Sequence, residues 1–414
     1  MQPSNVSRST SGAATDRSVT RRAALAASAV AATTALAGCG GVDELRDSLN
    51  PRTHNSDAEL GDPPEPWPTA AHDALRTGYR DTETSLPDSP TVERIGPGGG
   101  DFYEGPPMVG PEAVYAPIHS QAEPEYVRRF VATGLDGEVR WRHDWSESSG
   151  PASPTLHGET AFLTRAGETM AVDRRTGEVH WRYAAGTVPS TPTAVGDRLY
   201  LGGKSLIALD GVTGERLWTA DAVPDHAGEL AATENTVYAQ SDGTLFALDA
   251  ADGSVHWESE IEQAAYAGPV VGEDTIALMG SEGLLQARSR ADGSERWSVQ
   301  FDNAAQNPPA IADGVVYATD ESPYACRAYD AVSGEELWDV DLGVGSDDRP
   351  VLDPSTVYVA DEDAIDCIDR ETGEVRQQLT IGLDSFSQHA IALADDALFF
   401  VGQRDGEGGV YRVG

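Results

Sequence analysis

Few residues in this chain stand in patterns that could do chemistry. The nine histidines are scattered, and neither Cys-x-x-Cys nor His-Glu-x-x-His occurs, so the common zinc sites have no local signature. No Gly-x-Ser-x-Gly segment offers a nucleophile elbow. Asp249–Gly253 (Asp-Ala-Ala-Asp-Gly) has some of the oxygen donors of a calcium loop. Gly96–Gly100 is glycine-rich but lacks the following lysine and helix that a phosphate cradle needs, and reads as a linker. Cys326 and Cys367 could pair or hold a metal only if the fold brings them together. Each of these readings depends on the elements that carry the residues.

Those elements are set by a repeat. Gly137, Gly177, Gly214, Gly253, Gly293, Gly334 and Gly373 follow one another at gaps of 40, 37, 39, 40, 41 and 39 residues. Four residues after each of the first six stands a tryptophan: Trp141, Trp181, Trp218, Trp257, Trp297 and Trp338; Gln377 takes that place in the seventh. An aspartate precedes the glycine by four residues in five copies (Asp173, Asp210, Asp249, Asp330, Asp369), with Thr133 and Ser289 in the others. An oxygen side chain there caps turn N–H groups, and the glycine accepts the left-handed backbone that closes the turn. Apolar residues alternate on both sides, as in Leu206–Asp210 and Leu245–Asp249, which is a strand period. About four short strands per unit, repeated radially, predict an all-β propeller of four-stranded antiparallel blades.

On this frame Asp249–Gly253 is a repeat turn rather than a metal loop. Cys326 and Cys367 lie eight and six residues before their glycines, so each points to the same face of its own blade. Opposite faces of neighbouring blades pack together, so the two sulfurs are expected to be small buried residues that do not meet. His180 and His256 precede repeat tryptophans and are expected on the solvent side or at a blade edge.

The pattern Ala-x-Asp-x-x-Thr-Gly-x-x-x-Trp, as in Ala171–Trp181 and Ala208–Trp218, resembles the tryptophan-docking repeat of the pyrroloquinoline-quinone (PQQ) propeller superfamily. That group includes quinoprotein dehydrogenases and the propeller lipoprotein of the outer-membrane assembly machinery. The resemblance covers roughly residues 67–414, and Trp67-Pro68, His72-Asp73 and Thr77–Tyr79 are similar to the opening of archaeal members. The enzymes of the family would need a calcium ion held by Glu, Asn and Asp, and typically a disulfide between adjacent cysteines. This chain has no Cys-Cys pair, and only Asn235, Asn303 and Asn307 in the propeller. No cofactor, metal or catalytic residue is therefore assigned.

After Gly373 the chain offers three further strand-like runs, Ala390–Ala394, Ala397–Val401 and Val410–Val413, and then stops. A three-stranded last blade would leave an open edge. The run Thr91–Ile95 is expected to close the ring as its fourth strand, giving eight blades; seven blades with a C-terminal sheet is the alternative.

Residues 1–38 read as an export signal: Thr20–Leu25 carries the Arg21-Arg22 pair of a twin-arginine signal, followed by an alanine-rich apolar run. Leu36-Ala-Gly-Cys39 resembles a lipobox, which implies lipidation of Cys39. The expected organisation is a signal at 1–38, a lipidated cysteine and flexible linker over 39–90, and a propeller over 91–414. The expected location is the outer face of the cell membrane, held by the lipid.

The whole chain carries net charge −39, and residues 39–414 hold 25 basic against 67 acidic side chains, net −42. Lys204 is the only lysine. Such a surface resembles proteins of salt-loving archaea. It offers no basic stripe to displace counterions from phosphates, so nucleic acid is excluded as a partner. The turns between third and fourth strands are nearly uniform. The opposite rim is irregular (Ser120–Pro124, Asp221–His226, Asp302–Pro309, Gly343–Arg349, Gln403–Gly409), and irregular loops are where binding usually lives. The expected role is a non-catalytic scaffold for an unidentified protein partner in a membrane or exported complex; the alternative is a small-molecule or ion receptor using the central channel, and the third reading, which only the family resemblance offers, is a PQQ-dependent dehydrogenase.

Overall fold

The structure is a computed structural model. It describes residues 67–414 apart from 88, 97–100, 104, 121–126, 146–152, 166, 186–189, 224–227, 264–266, 302–306, 322–323, 344–348, 361–363, 384, 387–390 and 406. The export signal, Arg21, Arg22 and Cys39 lie outside the described residues, as do most residues of the irregular loops named above.

Eight antiparallel sheets follow one another in chain order, and no helix occurs among the described residues. In blade 3 the meander runs Thr193–Val195, Arg198–Leu201, Leu206–Asp210 and Arg216–Ala220 from the channel outward. Blades 1 and 8 have a divided inner edge, built from Asp101–Tyr103 with Met108–Val109 and from Ser385–Phe386 with Ala392–Leu393. Val92–Ile95 pairs antiparallel with Val410–Val413, so the N-terminal strand supplies the outer strand of blade 8. The ring is an eight-bladed β-propeller closed between its two ends.

The repeat residues join neighbouring blades. Each repeat glycine has positive φ, from 71° to 85°. A Cβ built on Gly177, Gly214, Gly253, Gly293, Gly334 or Gly373 would fall 2.5–2.8 Å from an indole atom of the preceding blade's tryptophan. The glycine is thus required twice, by the turn and by the ring lying on it. Trp181 Nε1 also donates to the Gly211 carbonyl (2.9 Å), and Trp141, Trp218, Trp297 and Trp338 make the same bond one blade on. Gly137 has no indole above it, because the outer strand of blade 8 comes from the N-terminus and carries no tryptophan. Gln377 is exposed: in blade 8 the third strand pairs with the N-terminal Val92–Ile95 and is not joined to it by a repeat turn on which Gln377 could dock.

The turn aspartates act as caps. Asp210 Oδ1 accepts the N–H groups of Val212 (3.1 Å) and Thr213 (2.7 Å), and Asp173, Asp330 and Asp369 do the same in their turns. Asp249 Oδ1 accepts from Ala251 N at 2.7 Å, so the calcium-like segment is a capped turn. Beside every such turn the register slips by one residue before the tryptophan position, as at Ala208↔Trp218 and Leu209↔Arg216. The extra residue is Leu217 there, and His180 and His256 in their blades; the bulge turns all three to solvent. Cys326 and Cys367 are free, buried and in different core clusters, and burial pushes both thiols up to about 12.

Candidate functional site: the channel and its rims

The channel wall is made by eight inner strands with one equivalent residue each: Val109, Leu156, Ala194, Ala232, Val271, Ile311, Leu352 and Leu393. In a tight antiparallel hairpin this residue is the non-hydrogen-bonded partner of the second strand, so its N–H and C=O point into the channel. Eight such edges would leave unpaired backbone groups around an open hole.

Residues 67–80 meet most of them. The Val109 N–H donates to the Trp67 carbonyl, Leu156 to Pro68, Ala232 to Ala74, Val271 to Leu75, Ile311 to Thr77 and Leu352 to Gly78, all at 2.8–2.9 Å. The segment makes one circuit of the wall, passing blades 1, 2, 4, 5, 6 and 7 in order. Trp67 N and Arg80 N also bond back to the carbonyls of Val109 and Leu352. Trp67 and Ala71 are fully buried. The sequence reading assigned residues 39–90 to a flexible linker; the stretch from Trp67 onward is instead an internal plug. Its irregular composition hid this, because it pairs with one residue per blade and so shows no strand period.

Side chains fasten the plug. Asp73 accepts from Thr77 N (2.9 Å) and Thr77 Oγ1 (2.7 Å), closing a turn in which His72 and Arg76 take positive φ of 72° and 62°. Arg76 forms an ion pair with Glu229 of blade 4, and Arg80 with Asp395 of blade 8. Arg349 of blade 7, only 5% exposed, donates to the carbonyls of Arg76 (2.9 Å) and Pro309 (3.1 Å). Burial and the nearby Arg76 charge push its guanidinium down to about 9, so it stays charged at neutral pH. Arg370 reaches across the joint between blades 6 and 7, with Nε 2.9 Å from the Tyr317 hydroxyl and its guanidinium over the Tyr79 ring.

This plug bears on cofactor chemistry. A quinone with its calcium would need space and oxygen ligands along the channel, where Trp67–Arg80 lie. Among the described residues no group of three or more His, Cys, Asp or Glu is arranged to hold a metal ion. The residues present do not fit that pair.

A cavity of about 680 Å³ opens beside blade 3, on the rim that carries the first-to-second and third-to-fourth turns. It is lined by plug residues Thr69, His72, Asp73 and Tyr79–Thr82, and by His157, Ala194–Gly196, Glu234 and Asp395. His72 lies against Trp67 (centroids 4.8 Å apart), its Nδ1 has no hydrogen-bond partner among the described residues, and burial lowers its pKa below the ordinary imidazole value. It is therefore neutral near pH 7.

The same rim carries exposed apolar side chains at its outer edge. Of the eight exposed large hydrophobics among the described residues, seven lie within three positions of a repeat glycine, including Val139, Leu217, Val255, Leu337 and Val375. The sequence reading placed binding on the opposite, irregular rim. What it left unremarked is that Leu217 and Leu337 share the place of His180 and His256, just before a repeat tryptophan, where the bulge residue faces solvent.

Comparison with known proteins agrees with this architecture. The family model described as outer membrane protein assembly factor BamB matches residues 125–267 and 241–397. The crystal structure of BamB from Moraxella catarrhalis superposes with TM-score 0.58 at 16% identity, covering 78% of this chain and 97% of that one. The quinohemoprotein alcohol dehydrogenase from Comamonas testosteroni superposes with TM-score 0.63 at 12% identity, covering 84% and 80%. At these identities the likeness is one of fold. A serine/threonine-protein kinase, AfsK of Streptomyces griseus, is 29% identical over 154 residues, 33% of this chain; the match spans only 19% of the kinase's length. With well over half its length matched by that family model, this chain belongs to the PQQ-repeat propeller family of the outer membrane protein assembly factor BamB.

Proposed function

We propose that this propeller is a non-catalytic scaffold that binds a protein partner, exported with the Arg21-Arg22 signal and held on the outer face of the cell membrane by a lipid on Cys39. The observation that carries the binding role is the collar of exposed apolar side chains along the rim of the third-to-fourth turns. Val139, Val255 and Val375 each stand two residues after a repeat glycine, and Leu217 and Leu337 three after, so the exposure follows the repeat along one rim. The repeat tryptophans and glycines are spent on blade packing and the turn aspartates on caps, so neither set is free for chemistry. The one-lysine acidic surface fits a high-salt exterior, where screening permits such crowding.

The test is cross-linking in membranes kept in molar KCl, comparing the native chain with a Leu217→Asp, Leu337→Asp variant. A defined cross-linked partner that the variant loses supports the reading. Equal capture by the variant, or no partner at all, removes it. Mass spectrometry of the membrane form tests the anchor: a mature N-terminus at Cys39 with a lipid adduct is expected, and a free thiol there or retention of residues 1–38 rejects it. Cys39→Ser should release the protein from the membrane.

A second reading, a receptor for a small ligand, has one specific support. Asp73, Asp81, Glu234 and Asp395 converge on the cavity beside blade 3.

A further inference from the structure

The plug shows what the channel wall accepts. At Val109 it supplies both halves of a β-bridge: the Trp67 carbonyl takes the Val109 N–H (2.9 Å), and the Trp67 N–H reaches the Val109 carbonyl (3.0 Å). At Leu352 two neighbours share the task, Gly78 giving the carbonyl (2.8 Å) and Arg80 the N–H (2.9 Å). Blades 2, 4, 5 and 6 each receive a carbonyl. Two wall residues receive nothing from the plug. One is Leu393, sealed at 0% exposure in a core cluster. The other is Ala194 of blade 3, which lines the cavity.

Ala194 stands at the same place in its hairpin as Val109 and Leu352, as its pairing with Leu199 shows. Its N–H and C=O therefore face the cavity, and no plug residue pairs with them. The plug departs from the wall here because Thr69 and His72 close a tight turn (His72 N to Thr69 O, 3.1 Å), and His72 holds a strained φ of 72°. Strain of this kind persists where the surroundings fix it and gathers at binding sites.

Charge narrows the occupant. The lining includes four carboxylates, of which Asp73 is engaged with Thr77 and Asp395 with Arg80. Glu234 has no side-chain partner among the described residues, and Asp81 only accepts from Thr82 (3.2 Å). Both are exposed, so they offer two anionic acceptors beside an unpaired backbone edge.

We propose that this cavity binds the free N-terminus of a short peptide. One peptide unit completes the β-bridge at Ala194, as Trp67 does at Val109, and the terminal ammonium is held by Glu234 and Asp81. The volume lies within the range of roughly 300–1,000 Å³ usual for ligand sites. This rests on the receptor reading of the cavity and adds to it the class of ligand.

The experiment titrates the purified full chain in molar KCl by calorimetry with trialanine, N-acetyl-trialanine and ethylammonium. Trialanine is expected to bind, and the acetylated peptide to bind at least about tenfold more weakly, the loss of roughly one charge-assisted contact. Glu234→Gln, an exposed substitution that should leave the fold intact, is expected to weaken trialanine by a similar factor. Ala194→Pro, which removes the N–H that faces the cavity without breaking a bond within the sheet, should weaken binding at least about tenfold, with circular dichroism checking that the variant is folded. Equal affinity for the free and acetylated peptides overturns the proposal, as does trialanine binding that neither variant changes. Ethylammonium binding that Glu234→Gln removes, without trialanine binding, overturns the peptide assignment and keeps the receptor reading. No binding by any probe overturns both.

Discussion

The indole of Trp181 lies on Gly214 of the following blade, so that a Cβ added to the glycine would come within 2.6 Å of the ring. The same turn holds Gly214 at φ 71°. Two penalties therefore fall on Gly214→Ala: about 1–2 kcal/mol for a side chain in the left-handed region, and about 1–3 kcal/mol for overpacking the joint. Gly314 separates them, because its φ is 76° and nothing lies within 4 Å of its added Cβ. Gly314→Ala should lose only the first amount. Urea unfolding in molar KCl measures both, and equal losses at the two positions would mean that indole docking contributes nothing.

The tryptophan side of the joint predicts a larger loss. Trp218 is 8% exposed, donates from Nε1 to the Ala250 carbonyl (3.1 Å) and covers Gly253. Trp218→Ala removes the ring, the bond and the cover together, and should cost about 3–5 kcal/mol. A loss below about 1 kcal/mol in the same assay would contradict the packing seen here.

These joints were legible in the sequence because they recur: a glycine and a tryptophan at fixed offsets announce a turn and a partner. Ring closure by Val92–Ile95 was legible for a related reason, since the last blade had one strand too few. The plug was not legible. Trp67, Ala74, Leu75, Thr77 and Gly78 meet a different blade at almost every step, and a segment that changes partner each residue has no period to read. The cavity follows from the plug and was hidden with it. The exposure of Leu217 follows the same rule as that of His180 and His256, since all three stand just before a repeat tryptophan at the bulge.

The plug makes its own prediction. Arg76 is buried, paired with Glu229, and lies near the charge of Arg349. Glu229→Gln leaves two buried guanidiniums without that carboxylate. Removing one partner of a fully buried pair costs about 3–5 kcal/mol, and since the Glu229 side chain is 31% exposed the loss should be smaller, about 1–3 kcal/mol. Truncation gives a coarser check. A chain starting just before Trp67 should melt where the full chain does, whereas one starting after Leu86 should melt well below it or fail to fold. Equal melting of the two truncated chains would show that the plug does not stabilise the ring.

Acid should act through the turn caps. The N–H groups of Ser333 and Thr372 hold the carboxyls of Asp330 and Asp369 below the usual carboxylate range. A carboxylate with a lower pKa in the folded state stabilises the fold above its unfolded value, about 3.9, and loses that contribution as pH falls through the folded value. In molar KCl, where surface repulsion is screened, the melting temperature should stay level down to about pH 4–5 and then drop. Asp369→Asn can accept the same bonds but cannot gain the proton, so it should flatten the acid limb. An unchanged limb in that variant would mean that other groups set the acid response.

Salt should matter more than any single residue. Residues 39–414 carry a net −42, and Lys204 is the only lysine among their 25 basic side chains. Many arginines already have local duties: Arg76, Arg80 and Arg349 fasten the plug, and Arg370 bridges two blades. The 25 basic side chains cannot offset 67 acidic ones, and the mutual repulsion of the excess opposes the compact ring. At about 1 M salt the Debye length is roughly 3 Å and this repulsion is largely screened; at about 0.01 M it is roughly 30 Å and charges on neighbouring blades feel one another. The acidic residues are spread over all the repeats, and each tryptophan ties one blade to the next, so loss of structure should involve the whole ring. Circular dichroism of residues 40–414 during dialysis from molar to millimolar KCl should show the β signal collapse in one transition. A signal that persists at millimolar KCl would show that packing alone outweighs the repulsion, and the high-salt setting proposed for this protein would be lost with it.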